Sequence, residues 1–126
     1  MAKKTLGSVI AFAIVFWITN GAMAAGFSYH ARLGEHDHYD QRGRRLTTVR
    51  AVLERDRENY HRFHRRDASD GDDSFFTTEA RRRLFYRMKI IFKNFGEHPG
   101  RAVIGEYLDV DVTVVGLVVY LTVSAG

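Results

Sequence analysis

The chain has 126 residues, no cysteine and a net charge of +4. Without cysteine it has no disulfide, thiol nucleophile or cysteine metal ligand, so packing, a metal or a partner chain has to stabilise it. The composition, 45% hydrophobic and 27% charged, is that of a globular domain rather than a disordered chain. Lys3 and Lys4 supply half of the net charge, and acids are interleaved with the arginines elsewhere. This balance argues against nucleic-acid binding.

The first 24 residues have the three-part organisation of a secretory signal peptide. Two lysines form a basic start, an uncharged apolar stretch is densest in Val9–Ile18, and Ala22 and Ala24 are the small residues that a signal peptidase recognises. Cleavage after Ala24 leaves residues 25–126, a chain of 102 residues, as a single domain. We therefore expect an exported protein that is periplasmic or secreted.

An uncleaved membrane anchor is the alternative interpretation of the same segment. No charged residue lies between Thr5 and Tyr29, and about 20 apolar residues are enough for a helix to span a bilayer. The strongly apolar part has only ~10–13 residues, however, which is typical of a signal peptide. Either interpretation places residues 25–126 outside the cytoplasm, and the membrane is contacted only through the first segment, if it is retained.

The first part of the exported domain contains one predicted strand and one predicted helix. Apolar and polar residues alternate strictly in Phe27–Leu33, between two glycines, which predicts a short half-buried strand. The polar stretch that follows has no apolar period and is predicted to be a loop. Thr47 and Thr48 are good N-cap residues, and apolar residues recur behind them at helical spacing. We therefore predict a helix from about Thr48 to Arg65.

A turn and a second predicted helix come next. Residues 67–74 concentrate aspartate, serine and glycine, which favour turns through local hydrogen bonds. Thr77 is a predicted N-cap, and a broad apolar stripe follows it. Gly96 suits the position just after a helix and Pro99 blocks its continuation, so the second helix is predicted to end at Gly96.

The tail from Ala102 to Ser124 is predicted to be β structure. Apolar and polar residues alternate in the first part of the tail, and a nearly continuous apolar run follows. This pattern indicates one long strand or two shorter ones, with Gly116 as a bulge or kink. The expected fold is a small single α+β domain, with two helices packed on a two- or three-stranded sheet. A long valine-rich edge favours pairing with a protein partner or a second copy. The residues predicted to form this oligomer or partner strand are Val112, Val114, Leu117, Val119 and Leu121, and ordinary core strands are the alternative.

The histidines are the strongest candidate metal ligands. Imidazole suits Zn²⁺, Cu²⁺ or Ni²⁺, and an exported protein meets such ions. A loop and a predicted helix together supply four of them, which are His36, His38, His61 and His64. Their spacing matches no metal signature, so exposed histidines without a metal are the alternative. The acidic loop from Asp67 to Asp73 does not match the calcium-binding pattern of an EF-hand.

The densest basic run is a second candidate surface, formed by Arg81, Arg82, Arg83 and Arg87. It is predicted to face an anionic partner, such as phospholipid headgroups, a polysaccharide or an acidic protein, with a solvated helix face as the alternative.

No catalytic motif is present in the sequence. It has no Gly-x-Ser-x-Gly elbow, no His-Glu-x-x-His pair and no glycine-rich phosphate loop. Glu97 and His98 lie together in a predicted turn, but such pairs arise by chance in a chain with this many acids and histidines. We therefore expect a non-enzymatic exported protein without a cofactor, which binds another macromolecule as an inhibitor or accessory subunit of the cell envelope. The alternatives are an envelope metal-binding protein and a single-pass membrane-anchored subunit of a larger complex.

Overall fold

The computed structural model describes residues 26–124, so the predicted signal peptide or anchor lies outside the described residues. Within this range the fold is α+β, as predicted, and no helix of the range is long and apolar enough to cross a membrane. The strands are β1 (Phe27–Leu33), β2 (Lys89–Lys93), β3 (Leu108–Val115) and β4 (Val118–Val123). The α-helices are α1 (Val49–His61), α2 (Glu79–Arg82) and α3 (Pro99–Gly105), and two 3₁₀ helices span Glu35–His38 and Arg83–Arg87.

The four strands form one mixed sheet in the order β1-β3-β4-β2. β3 pairs antiparallel with β1 and β4, whereas β2 pairs parallel with β4. The turn between β3 and β4 consists of Gly116 and Leu117, and Gly116 has a φ of 58°. Glycine adopts positive φ without strain and is the preferred first residue of a type II′ hairpin turn. The predicted tail is therefore two strands, and the sheet is larger than the two or three strands expected.

One face of the sheet carries the hydrophobic core. Alternate residues of β1, β3 and β4 point to this face, as the predicted strand pattern of β1 requires. Helix α1 and the segments that precede β2 and β3 cover them. The core residues, all at most 5% exposed, are Tyr29, Ala31, Leu33, Val52, Leu53, Phe76, Phe85, Met88, Val103, Val110, Val112, Val114, Val119 and Leu121.

Helix α1 begins where the sequence predicts and ends earlier. The Thr48 hydroxyl accepts a hydrogen bond from Ala51 N at 3.1 Å, which confirms Thr48 as the N-cap. The last helical residue is His61 rather than Arg65. His64 has a φ of 54°, and a residue in this left-handed region cannot continue a right-handed helix.

The second predicted helix, with Thr77 as its N-cap and Gly96 just after its end, is helical only in Glu79–Arg87. Its N-cap is Thr78, whose hydroxyl accepts a hydrogen bond from Arg81 N at 3.3 Å. The α-helix lasts only four residues, and a 3₁₀ helix continues to Arg87. Ile90, Ile91 and Phe92 then lie in β2, so Gly96 does not follow a helix.

Sheet pairing explains this difference. Phe92 belongs to the helical stripe, but together with Ile90 it also fits a period of two. In β2 they lie opposite Val119 and Leu121 of β4, so both reach the core face of the sheet. The parallel ladder with β4 satisfies backbone groups of both strands, and this tertiary pairing overrides the local helical pattern.

Pro99 begins a helix that the sequence analysis did not predict. Proline suits the first helical position because the N–H that it lacks has no partner there. Helix α3 buries Val103 in the core and leads into β3. The predicted role of Pro99, to end the preceding helix, is therefore reversed.

Replacement of the α1 cap provides a test of this fold. We expect Thr48→Ala to lower the free energy of unfolding by about 1 kcal/mol, because the Ala51 N–H loses its acceptor. The matched control is Thr47→Ala, at an exposed neighbouring threonine outside the helix, which is expected to change little. Urea unfolding followed by circular dichroism measures both, and equal effects of the two substitutions would contradict the assigned cap.

Candidate metal centre

A network of buried polar side chains joins α1, the first 3₁₀ helix and the loop of residues 67–74. Charged and polar groups are stable in a core only when hydrogen bonds or ion pairs replace water. The network residues, each at most 8% exposed, are Asp37, His38, Asp56, Arg57, Asn59 and Asp73.

Arg57 lies at the centre of this network, with no exposed side-chain surface. Its Nε donates to Asp56 Oδ2 at 2.8 Å, and one terminal nitrogen donates to Asp73 Oδ1 at 2.9 Å and to Gly71 O at 3.0 Å. The guanidinium carbon also lies 4.0 Å from the centroid of the Tyr29 ring, which is a cation–π distance. Arg57 therefore ties β1 and the loop of residues 67–74 to helix α1.

Burial changes the ionisation of the two acids that pair with Arg57. Burial raises the pKa of Asp56 well above its ordinary value, although the Arg57 guanidinium opposes the shift. Burial also acts to raise the pKa of Asp73, but hydrogen bonds from Phe76 N, His61 and Arg57 outweigh it, so the pKa of Asp73 is lowered. As pH falls, Asp73 therefore keeps its negative charge longer than Asp56 does and remains the counter-ion of Arg57.

The loss of Arg57 is expected to be strongly destabilising. Arg57→Met leaves the buried carboxylate of Asp73 without its cation, which costs about 3–5 kcal/mol of unfolding free energy. The control is Arg83→Met, because Arg83 is 70% exposed and pairs with an exposed glutamate, and exposed pairs contribute about 0–1 kcal/mol. Urea unfolding measures both variants, and an effect of Arg57→Met no larger than that of the control would contradict the assigned role.

His36, Asp37 and Asp67 form a candidate metal centre beside this network. Among the described residues, they are the one group of three or more potential ligands whose donor atoms all lie within 4.8 Å of one another. His36 Nε2 lies 3.5 Å from Asp67 Oδ2, and neither of these buried atoms has a hydrogen-bond partner within residues 26–124. The His36 and Asp67 side chains are 37% and 31% exposed overall, although these two atoms are buried.

Asp37 forms the inner side of the candidate centre and is held in place by two donors. Asn59 Nδ2 donates to Asp37 Oδ1 at 2.9 Å, and Gly34 N donates to Asp37 Oδ2 at 3.1 Å. Burial raises the pKa of Asp37, and these two hydrogen bonds offset only part of the shift. Outer hydrogen bonds of this kind fix the orientation of a ligand carboxylate.

Asp67 reaches His36 because its loop is fastened to β1. The Asp70 carboxylate accepts hydrogen bonds from Arg32 N and Asp67 N, both at 2.8 Å. The close approach also depends on Gly34, where an added Cβ would lie 3.1 Å from Asp67 Oδ2. Glycine at this position leaves room for the carboxylate.

The four predicted histidine ligands are not brought together. His38 is fully buried, and its two ring nitrogens contact backbone carbonyl oxygens at 2.6 and 2.9 Å. His61 Nε2 contacts the buried Asp73 Oδ1 at 2.7 Å, and His64 is exposed. Of the predicted ligands, only His36 lies in the candidate centre, where two carboxylates take the place of the other histidines.

Sequence reasoning missed the buried network that supports the centre. One signal was available: Asp56 lies four residues after Val52 and four before Tyr60, so it falls on the apolar face of α1. A charged residue at such a position needs a buried partner. The identity of that partner, however, does not follow from helical spacing.

Only part of the predicted anionic-partner surface is exposed in the structure. Arg82 is 5% exposed and donates to a backbone carbonyl oxygen at 3.1 Å. Arg81, Arg83 and Arg87 are exposed, and Arg83 pairs with Glu79 at 3.3 Å. Three of the four arginines are therefore accessible, and an anionic partner for them stays a prediction.

The predicted oligomer strand lies mostly in the core. Val112, Val114, Val119 and Leu121 are at most 2% exposed, whereas Leu117 in the hairpin turn is 40% exposed. The first four belong to β3 and β4, the two central strands, and the edges of the sheet are β1 and β2. A protein partner or homo-oligomer stays a prediction.

A second polar cluster lies on the opposite face of the sheet. His30 Nδ1 lies 3.0 Å from Asp111 Oδ1 and 3.2 Å from Ser124 Oγ, and Nε2 lies 3.3 Å from Asp109 Oδ1. The residue types are those of a Ser-His-Asp triad, in which a neutral histidine accepts the serine proton. Here the hydrogen bond to Asp111 raises the pKa of His30, with further help from Asp109 and against desolvation. When charged, the imidazolium forms cross-strand ion pairs with both aspartates, and Ser124 and Asp111 contact the same ring nitrogen, unlike the two different nitrogens used in a triad.

The raised pKa of His30 predicts a pH-dependent contribution to stability. This contribution is complete below the unfolded-state pKa of about 6.5 and is lost as pH rises through the higher folded-state value. We expect the stability difference between the wild type and His30→Gln to be larger at pH 5 than at pH 9. Urea unfolding at both pH values checks this, with His98→Gln at an exposed histidine as the control. An equal difference at both pH values would refute the ion-pair assignment.

Comparisons with known proteins assign the chain to no family. No family model matches the chain, and neither a curated protein nor a solved structure is similar to it. The function therefore has to be argued from the site itself.

Proposed function

We propose that the chain is an exported, non-enzymatic protein that binds a divalent transition metal at His36, Asp37 and Asp67, with Zn²⁺ as the first candidate. The observation that supports this proposal is the 3.5 Å separation of His36 Nε2 and Asp67 Oδ2, two buried atoms without a hydrogen-bond partner in the described part of the chain. An ordinary hydrogen bond would bring them within about 3.2 Å.

The separation of the two atoms suits a shared metal ion. Ligand atoms that lie 2.0–2.1 Å from zinc and 3.5 Å from each other subtend about 113–122° at the metal, which is within roughly 15° of the tetrahedral angle. Asp37 supplies a third ligand atom within 4.8 Å of both. Three protein ligands leave one coordination position for water or an exchangeable ligand, as in open zinc sites.

The donor set also restricts the metal. Imidazole suits Zn²⁺, Cu²⁺ or Ni²⁺ and carboxylates also suit Mn²⁺, whereas monovalent copper prefers thiolate and thioether ligands. Burial and the nearby Asp70 both raise the pKa of Asp37, which means that its negative charge is poorly compensated. A dication beside Asp37 would offset that cost.

Export and the absence of catalysis are parts of the proposal that rest on the sequence. The three-part pattern of Met1–Ala24 supports export. The missing catalytic motifs support a binding role, with loading and release of the metal through the exposed side of His36 and Asp67.

Calorimetric titration with Zn²⁺ tests the proposed metal site. We expect the full chain to bind one Zn²⁺ stoichiometrically. His36→Ala and Asp67→Asn each remove a ligand. Loss of a residue that only supports a ligand already weakens metal affinity about 10-fold, so we expect both variants to weaken the Zn²⁺ affinity by more than about 10-fold. Parallel titrations with Cu²⁺ and Ni²⁺ establish which ion is preferred.

The matched control is His64→Ala, at an exposed histidine outside the centre, which is expected to bind Zn²⁺ as the wild type does. Circular dichroism confirms that each variant is folded. Wild-type binding no tighter than millimolar, or equal affinities of the His36 and His64 variants, would refute the proposal.

A further inference from the structure

We propose that the cleft between the loop of residues 40–44 and helix α1 binds a phosphate-bearing ligand, whose anionic group lies against Arg55 and Arg65, beside the Phe63 ring. This site shares no residue with the candidate metal centre and does not depend on it. The cleft consists of two adjoining cavities of about 380 and 410 Å³. The residues common to both are Asp40, Gln41 and Arg55.

Arg55 supplies a spare hydrogen-bond donor to the cleft. Its side chain is only 8% exposed, although it lines both cavities. One terminal nitrogen donates to Glu58 Oε1 at 2.8 Å. The buried Nε–H has no acceptor within residues 26–124, and a buried donor without an acceptor is costly. An oxyanion in the cleft would supply an acceptor for this group.

Three guanidinium groups converge on the ring of Phe63. The ζ carbons of Arg55, Arg62 and Arg65 lie 5.5, 4.8 and 5.6 Å from its centroid. Glu58 pairs with Arg55 and Arg62, and Arg65 has no acidic partner among the described residues. Like charges gathered at one ring repel one another, so an anion bound among them is attracted electrostatically.

Three acids line the cleft: Glu54 and Glu58 line only the first cavity, and Asp40 lines both. The Asp40 carboxylate accepts hydrogen bonds from Arg42 N, Arg44 N and Arg44 Nε, all at 2.9 Å. The hydrogen bond from the Arg44 backbone is the largest of several effects that keep the pKa of Asp40 below its ordinary value. Asp40 therefore holds its own loop together, and the cavity lined by Phe63 and Arg65 keeps a net positive charge.

Phosphate is the anion that fits these groups. The guanidinium fork matches the oxygens of phosphate, which accept two hydrogen bonds from one arginine. A dianion also balances two guanidinium charges, which a single carboxylate does not. The Phe63 ring gives an apolar surface for the organic part of the ligand. The phosphate group itself comes from a soluble phosphate compound or from a lipid headgroup.

Titration with two probes distinguishes these sources. Inorganic phosphate is titrated into the full chain in one arm, and neutral phosphatidylcholine vesicles with or without 30% phosphatidylglycerol are added in the other. We expect saturable binding of phosphate in the first arm, or binding only to the anionic vesicles in the second. The first result identifies a soluble phosphate compound and the second a lipid headgroup, and both support the site.

Arg65→Gln and Phe63→Leu are expected to weaken the observed binding at least 5-fold. Arg65 is exposed, so the first variant retains the fold even if the second does not. The matched control is Arg101→Gln, because Arg101 is also exposed and lies outside the cleft. Absence of binding in both arms, or equal weakening by Arg65→Gln and Arg101→Gln, would overturn the proposal. His36→Ala is expected to leave phosphate binding unchanged, which keeps the test separate from that of the metal centre.

Discussion

The Arg57 guanidinium has no exposed surface, so its charge has to be balanced inside the protein. Asp56 supplies one acceptor from the same helix, and the loop after α1 supplies the others through Asp73 and the Gly71 carbonyl. The loop cannot leave this position without separating a buried pair of charges. Its conformation is therefore set by the ion pair, whereas its aspartates and glycine only make a turn of some kind favourable.

The candidate metal centre depends on this anchored loop. Asp73 fixes one part of the loop on Arg57, and Asp70 fastens another part to the backbone of β1. Asp67 lies at the start of the same loop and is thereby held 3.5 Å from His36. Contacts outside the centre thus hold ligand atoms in place before a metal arrives, which is the condition for a preorganised site.

The two proposed sites separate acidic from basic chemistry along helix α1. Asn59 supports the carboxylate of Asp37 in the metal centre, while Arg55 faces the cleft lined by Phe63. Helix α1 thus contributes a supporting residue to the proposed cation site and a lining residue to the proposed anion site. The near balance of charge in the sequence conceals this separation, because composition does not record which residues share a surface.

The sequence by itself determined the α+β class, strand β1 and the start of α1 at Thr48, because alternation and N-capping act between neighbouring residues. Only the tertiary structure decided that Phe92 belongs to a strand, since both periods fit it and pairing with β4 selects one. His36 and the acidic loop also stood out in the sequence as potential ligands. The approach of Asp67 to His36 depends on the ion pairs that balance the buried charge of Arg57. One of these pairs joins Arg57 to Asp73, which is distant from it in the chain.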